Sequence, residues 1–347
     1  MASHRRPKQP SRTRVTVLTA TAAAAVALTS QAAHADPKPS KTEVKAKVDK
    51  LYEDAEKATE KYNGAKEKQG KLEDQIDNLQ DKVARGQDEL NDQRDALGSL
   101  ASAQYRSGGV DPSVQLFLSS DPDSYLDKAS ALSQLSDQQA DALKKMQAKQ
   151  RTLAQQRKEA SDKLGDLAST RKELGSKKKE VQGKLAEAQK LLNSLTAAEK
   201  AAMAKEEKRA SRDSSREALK GAADTGSGKP ASGRAGSAYA AAQSQIGKPY
   251  VYGATGPSSF DCSGLTSWAF SQAGVTIPRT SQAQANAGTR ISSQSQLQVG
   301  DLVIFYGDQH HVGFYAGNGQ VLHAPRTGTV VRYEAIGNMP FQFGVRI

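Results

Sequence analysis

One cysteine, Cys262, occurs in the chain of 347 residues, in the run Phe260-Asp261-Cys262-Ser263-Gly264-Leu265. A single sulfur cannot form a disulfide within the chain. Two roles are left, a buried inert thiol or a nucleophilic thiolate, and a nucleophile of this kind needs a base beside it. Of the five histidines, His4 and His34 lie near the N-terminus, whereas His310, His311 and His323 fall within fourteen residues of one another downstream of Cys262. One Cys with two or three His lacks the short ligand spacings of structural zinc sites. Asp308 is the one carboxylate close to the pair His310-His311. The expectation is cysteine–histidine chemistry with no metal and no cofactor.

These residues need elements to hold them. Residues 302–306 read as a buried apolar run, followed by His311-Val312-Gly313-Phe314-Tyr315, the turn Gly317-Asn318-Gly319, and Val321-Leu322-His323-Ala324-Pro325. An Asn-Gly between apolar runs signals a hairpin. If Ala316 pairs with Gln320, His323 faces Gly313 and His311 lies one diagonal step away on the same face, within reach of a ring side chain. A slip of one residue would put the two rings on opposite faces. Residues 263–274 read as a short helix ending at Gly274, with Leu265, Trp268, Ala269 and Phe270 as its buried face and Asp261 as N-cap. Cys262 then sits in the first turn, where the helix dipole and free N–H groups lower a thiol pKa and offer donors to an oxyanion. A nucleophile at a helix start, with base and orienting residue on a following sheet, is the layout of papain-like cysteine hydrolases.

Residues 236–347 resemble the NlpC/P60 family of cell-wall peptidases. The matching blocks are Gln245-Ile246-Gly247-Lys248-Pro249-Tyr250-Val251-Tyr252-Gly253, Phe260 to Leu265, Pro278-Arg279-Thr280-Ser281, Val299-Gly300-Asp301-Leu302-Val303, His311 to Tyr315, and His323-Ala324-Pro325. The resemblance implies Cys262 as nucleophile, His311 as general base, His323 as the polar third member and Tyr250 as a partner of the oxyanion. It also implies that Asp261 and Ser263 hold the amino end of a stem peptide. Two positions depart from the family pattern: Tyr252 replaces the usual Trp, and Ala254 the second Gly of Gly-Gly. Both bear on pocket shape. His310 has no counterpart and is expected to face solvent. The implied reaction is hydrolysis of a peptidoglycan stem peptide, usually between D-γ-glutamate and the diamino acid.

The rest of the chain has a different composition. Arg5, Arg6, Lys8, Arg12 and Arg14 precede the uncharged stretch 15–29 and Ala33-His34-Ala35, the pattern of a secretory signal over 1–35. That stretch is short and weakly apolar for a membrane span. Loss of residues 1–35 removes five of 49 basic residues and none of 38 acids, so the net charge falls from +11 to +6. A modestly basic, secreted chain suits a cell wall of anionic polymers. Nucleic-acid binding is disfavoured, because the basic residues alternate with acids and no aromatic platform accompanies them.

Residues 40–215 read as a coiled-coil helical hairpin with a break near 107–124. Its first seam runs through Val44, Val48, Leu51, Ala55, Ala58 and onward at steps of four and three, and its second through Met146, Leu153, Ala160, Leu167, Leu174, Val181, Ala188 and Leu195. The first arm, of some 60 residues, would reach roughly 90 Å. The break holds Gly108-Gly109 and two Asp-Pro pairs, and its apolar residues Leu116, Phe117, Leu118 and Tyr125 are expected to pack the turn, with docking of a partner or cover of the catalytic cleft as the alternative. Residues 216–235 read as a flexible linker, which permits either reach or autoinhibition, so the coiled coil is expected to localise or regulate the enzyme. The expected fold class is therefore α+β: a papain-like domain, helices on an antiparallel sheet, preceded by a long helical hairpin. The expected partners are peptidoglycan stem peptides and, for the coiled coil, a regulator in the divisome or membrane. A coiled-coil scaffold or activator with a degenerate domain, or amidase or acyl-transfer chemistry on the same fold, is the alternative; intact Cys262, His311 and His323 argue against degeneracy.

Overall fold

The computed structural model describes residues 40–106, 114, 117–118, 125–224 and 233–347, all within one compact unit, Ser40–Ile347. The signal reading over 1–35 and most of the break at 107–124 lie outside the described residues.

Helix α1 spans Lys41–Arg106, α2 spans Tyr125–Asn193 and α3 spans Ala197–Asp224. Ser40 and Glu43 start α1 with reciprocal bonds, Ser40 N to Glu43 Oε2 at 2.8 Å and Glu43 N to Ser40 Oγ at 3.2 Å. Thr196 and Glu199 repeat this capping box before α3. The hairpin seam follows the heptads. Val44, Val48 and Leu51 meet Ala188 and Leu195, and Leu72 and Ile76 meet Leu167. A side chain at Gly86 would lie 2.6 Å from a Leu153 methyl, so the arms approach closely there. Towards the tip the seam opens: Phe117 is 82% and Leu118 74% exposed, so these two do not pack the turn as expected. Leu116 and the Tyr125 side chain lie outside the described set.

The second arm also departs from the reading of a hairpin followed by a linker. It breaks at 194–196, and α3 continues as a helix to Asp224, through part of the region expected to be linker. The C-terminal domain gives the reason, since α3 lies along β5, with Ala218 buried in the domain's main core and Glu207 paired with Arg326 and Arg332.

That domain begins with α4, Arg234–Gln243, then α5, Cys262–Gln272, and the short α6, Ser281–Gln284. Six strands follow: β1 Thr289–Ile291, β2 Leu302–Phe305, β3 His311–Gly317, β4 Gln320–His323, β5 Arg332–Ala335 and β6 Phe341–Arg346. They form one antiparallel sheet in the order β1-β6-β2-β3-β4-β5. Every residue of β2 is buried, because α4 and α5 cover one face of the sheet and Ile291, Leu297 and Ile336 the other. Phe260, Leu265, Phe270, Ile304 and Phe314 fill the main core without exposure. Among the described residues, no helix is long and apolar enough to cross a membrane.

Candidate active site

Cys262 is the first residue of α5 and is fully buried. Asp261 caps the helix from extended backbone, accepting from Gly264 N at 2.7 Å. Position 264 must be glycine, since a Cβ would stand 2.1 Å from the Ala254 carbonyl oxygen. The run Asp-Cys-Ser-Gly thus presses the start of α5 against the preceding loop.

The two histidines meet as the hairpin register required. Phe314 pairs with Leu322 and Tyr315 with Val321, which continues to Gly313 opposite His323. Near the turn the register shifts, and Gln320 pairs with Gly317 rather than Ala316, because Gly317, Asn318 and Gly319 all take positive φ. A side chain at Gly313 would come within 2.8 Å of His323 Cβ, so glycine here lets the His323 ring lean towards its neighbour. His311 Nε2 and His323 Nδ1 lie 2.7 Å apart with the rings nearly perpendicular. On its far side His323 Nε2 meets Glu334 Oε2 at 3.3 Å, and Arg332 holds Glu334 at 3.1 Å. Burial would raise the Glu334 carboxyl, but His323 and Arg332 hold it well below the ordinary range. Burial pushes His323 itself down despite Glu334.

Helix α1 enters this site. Glu56, Thr59, Glu60 and Asn63 are 8%, 2%, 2% and 1% exposed, although each is polar. Their spacing of three and four puts them on one helix face. His311 Nδ1 is bonded to Glu56 Oε1. Glu60 Oε1 accepts from Ser263 Oγ at 2.7 Å, and Oε2 accepts from Ser281 N at 2.7 Å and Ser281 Oγ at 3.0 Å. Asn63 Nδ2 donates to Asp261 Oδ2 at 3.0 Å. The thiol faces Glu60 Oε1 at 3.7 Å and the His310 carbonyl at 3.9 Å. Outside the cleft, Arg326 reaches Asp49 and Glu207 at 3.4 Å, and Arg332 reaches Glu207 at 3.3 Å, joining α1 and α3 to the domain.

This closure reverses the expected thiol electrostatics. Burial pushes the Cys262 thiol well above its ordinary pKa, and Glu60, Glu56 and Asp261 add to the rise against Arg279. The helix start alone would lower it; the arm excludes water and adds negative charge, and those effects win. Burial and the Asp261 charge lift Glu60 to about 7 against its bonds to Ser281 and Ser263. For His311 burial acts downward, but Glu56 raises the ring above its ordinary value.

Tyr250 is buried, and burial with the charges of Glu56 and Cys262 pushes its phenol up. Asp261 and Ser263 are heavily engaged. Asp261 Oδ2 also accepts from Arg279 Nη2 at 2.6 Å and Gly253 N at 2.9 Å, while Ser263 Oγ accepts from Arg279 Nη1 at 2.7 Å. His310 is 1% exposed rather than solvent-facing. Tyr306 stacks on its ring at 4.1 Å and Asp308 bonds its Nδ1, because positive φ at Tyr306 and Gln309 folds that loop back. The sequence reading assigned no role to Glu56, Glu60, Asn63, Arg279 or Glu334. The polar stripe 56-59-60-63 was a signal, but a charged helix face reads as solvated until something covers it.

A buried thiol on a helix N-terminus, facing a histidine pair on an antiparallel sheet, defines a papain-like cysteine peptidase domain. Residues 247–343 match the NlpC/P60 family model, and this C-terminal domain belongs to that family. A probable endopeptidase of Corynebacterium glutamicum is 55% identical over 106 residues, 30% of this chain and 50% of that protein. The probable endopeptidase p60 of Listeria monocytogenes is 50% identical over 99 residues, 28% of this chain and 20% of that protein. The crystal structure of the NlpC/p60 domain of peptidoglycan hydrolase SagA is 36% identical, covering 33% of this chain and 98% of that one, at a TM-score of 0.31. The chain spans half or less of the length of these curated relatives.

Proposed function

We propose that the chain is a secreted, cell-wall-associated peptidoglycan hydrolase, a cysteine endopeptidase that cuts stem peptides at the D-γ-glutamyl–diaminopimelate bond and is held shut by its own arm. The observation that carries the reading is the lone thiol at the start of α5 beside the His311–His323 pair, in a domain whose relatives are named endopeptidases.

With α1 withdrawn, the Cys262 thiol gives its proton to His311 and the thiolate attacks the γ-carbonyl carbon. Free N–H groups at the start of α5 and the Tyr250 hydroxyl face the oxyanion. Collapse forms a thioester as His311 protonates the leaving amine, and a water deprotonated by His311 then hydrolyses the thioester. His323, anchored by Glu334, orients the base. Asp261 and Ser263, braced by Arg279, line the acyl side of the cleft. In the closed form Glu56 takes the base nitrogen and Glu60 covers the thiol, so neither proton transfer nor substrate entry proceeds. A regulator that engages the coiled coil, at the membrane or the divisome, would release it.

The test is incubation of purified peptidoglycan with the full chain and with Cys262→Ala, followed by mass analysis of the fragments. New amino ends on the diamino acid from the native chain alone are expected. No new ends from the native chain, with or without Glu56→Ala and Glu60→Ala, would overturn the reading.

A further inference from the structure

Where α1 closes the cleft, three side chains of metal-binding type converge from both sides. One ligand atom each of Glu56, Cys262 and His311 lies within 4.8 Å of the other two, and all three residues are buried. We propose that the closed cleft binds one zinc ion, held by Glu56 of the arm together with Cys262 and His311 of the peptidase domain. Zinc bonds of about 2.0–2.3 Å place tetrahedral ligand atoms roughly 3.3–3.8 Å apart, so the ion enters by opening the direct Glu56–His311 contact while the Cys262 thiol, already within 4.8 Å, completes the set. Thiolate, imidazole and carboxylate together suit zinc and disfavour magnesium or calcium, which take oxygen ligands.

Three further observations support it. The cleft carries an excess of buried acid, for Glu56 and Glu60 flank the thiol while Arg279 is committed to Asp261 at 2.6 Å. Buried charge of this kind is stabilised by a counter-ion. His311 already has the outer support of a metal-ligating histidine: its Nε2 is 2.7 Å from His323 Nδ1, and His323 is held in turn by Glu334. His311 Nδ1, now bonded to Glu56, is the nitrogen that would pass to the ion as Glu56 turns from hydrogen-bond partner to ligand. A cavity of about 700 Å³, lined by Glu56, His311, His323 and Tyr306 among others, opens onto two of the three ligands, with Cys262 buried behind them. It gives an entry path and room for a water in the fourth position. Glu60 is not a ligand here, since Ser263 and Ser281 already occupy both its oxygens.

Binding releases to water the thiol proton of Cys262 and the proton shared between Glu56 and His311. Because one ligand belongs to the arm, the ion ties the arm down and stabilises the closed form by mass action. The local spacings in the sequence could not show this, as Glu56 lies 255 residues from His311.

The test uses the full chain and Co²⁺ as a spectroscopic probe, with Zn²⁺ as competitor and no substrate, so its outcome is separate from the choice of scissile bond. One equivalent of Co²⁺ should give a near-ultraviolet thiolate-to-cobalt band, displaced by Zn²⁺ and absent in Cys262→Ser. Glu56→Gln should weaken binding at least about tenfold, whereas Glu60→Gln, which changes the next carboxylate on the same buried face of α1 without removing a ligand, should keep the band. Circular dichroism checks that each variant is folded. Bound cobalt without the band, native affinity in Glu56→Gln, or equal loss in Glu60→Gln would overturn the assignment.

Discussion

The core of the peptidase domain and the surface it shares with the arm are built from opposite materials. The core is Phe260, Leu265, Phe270, Ile304 and Phe314, packed without exposure. The shared surface is Glu56, Thr59, Glu60 and Asn63 against Asp261, Ser263, Ser281 and His311. Apolar burial contributes roughly 25 cal/mol per Å² and is indifferent to pH. A hydrogen bond to a charged group nets about 1.5–3 kcal/mol, because the loss of water opposes it. The core therefore persists under conditions that separate the polar surface. The closure is thus of a kind that can be undone while the domain stays folded.

The largest effect is expected within the domain. His323→Ala removes the partner of His311 without touching the arm, and should lower release of amino ends from peptidoglycan by roughly 10²–10⁴-fold. Protection of Cys262 from alkylation should stay as in the native chain; a loss of protection would mean that the two regions are not separable. Gly313→Ala should cost about 1–3 kcal/mol, since the added methyl meets Val321 Cγ2 at 2.6 Å and His323 Cβ at 2.8 Å. Thermal unfolding reads this, with a lower Tm for the peptidase domain.

On the arm side the effect depends on pH. Glu60 has a pKa of about 7 in the closed form against an ordinary 4.5, so the closed form binds the extra proton between those values. In the metal-free chain, with a chelator present, closure is therefore strongest in acid and weakens as pH rises towards about 7. The raised pKa of His311 acts in the same direction, as its contribution is present below its ordinary pKa and lost as pH passes the raised one. The open fraction should grow by up to about tenfold per pH unit in that window. Alkylation rates of Cys262, corrected for thiol ionisation, measure it. Glu60→Gln, neutral throughout, should flatten the profile and keep the cleft closed at neutral pH. The smallest effect belongs to the rim. Arg326→Ala breaks the partly exposed pairs with Asp49 and Glu207 and should shift the same alkylation rate by no more than severalfold, since such pairs net about 0–1 kcal/mol.

What was legible in the sequence lies within short stretches of chain. The strand pair 311–317 and 320–323 could be registered because turn chemistry and alternation are local, and Gly313 opposite His323 followed from it. Asp261 as N-cap was legible for the same reason. The seam of α1 was legible from its heptads, and so was the second arm as far as Leu195. Autoinhibition stood in the sequence as one of two options, but the residues that close the cleft were not legible, because they join positions about 200 apart whose types also suit a solvated helix face. The thiol pKa went astray with it: a helix start lowers a thiol only while water and no carboxylates surround it. His310 was read as exposed because nothing local announced the positive φ of Tyr306 and Gln309 that turns it inward. The continuation of α3 to Asp224 was hidden likewise, since its support comes from β5.

The central claim is that α1 holds the Cys262–His311 pair shut through Glu56 and Glu60. The direct measurement is the initial rate at which the full chain and its Glu56→Ala, Glu60→Ala double variant release diamino-acid amino ends from purified peptidoglycan. Loss of two buried charged contacts should raise that rate by about tenfold or more, with Cys262→Ala in the same background inactive. Equal rates for the native chain and the double variant would contradict the claim.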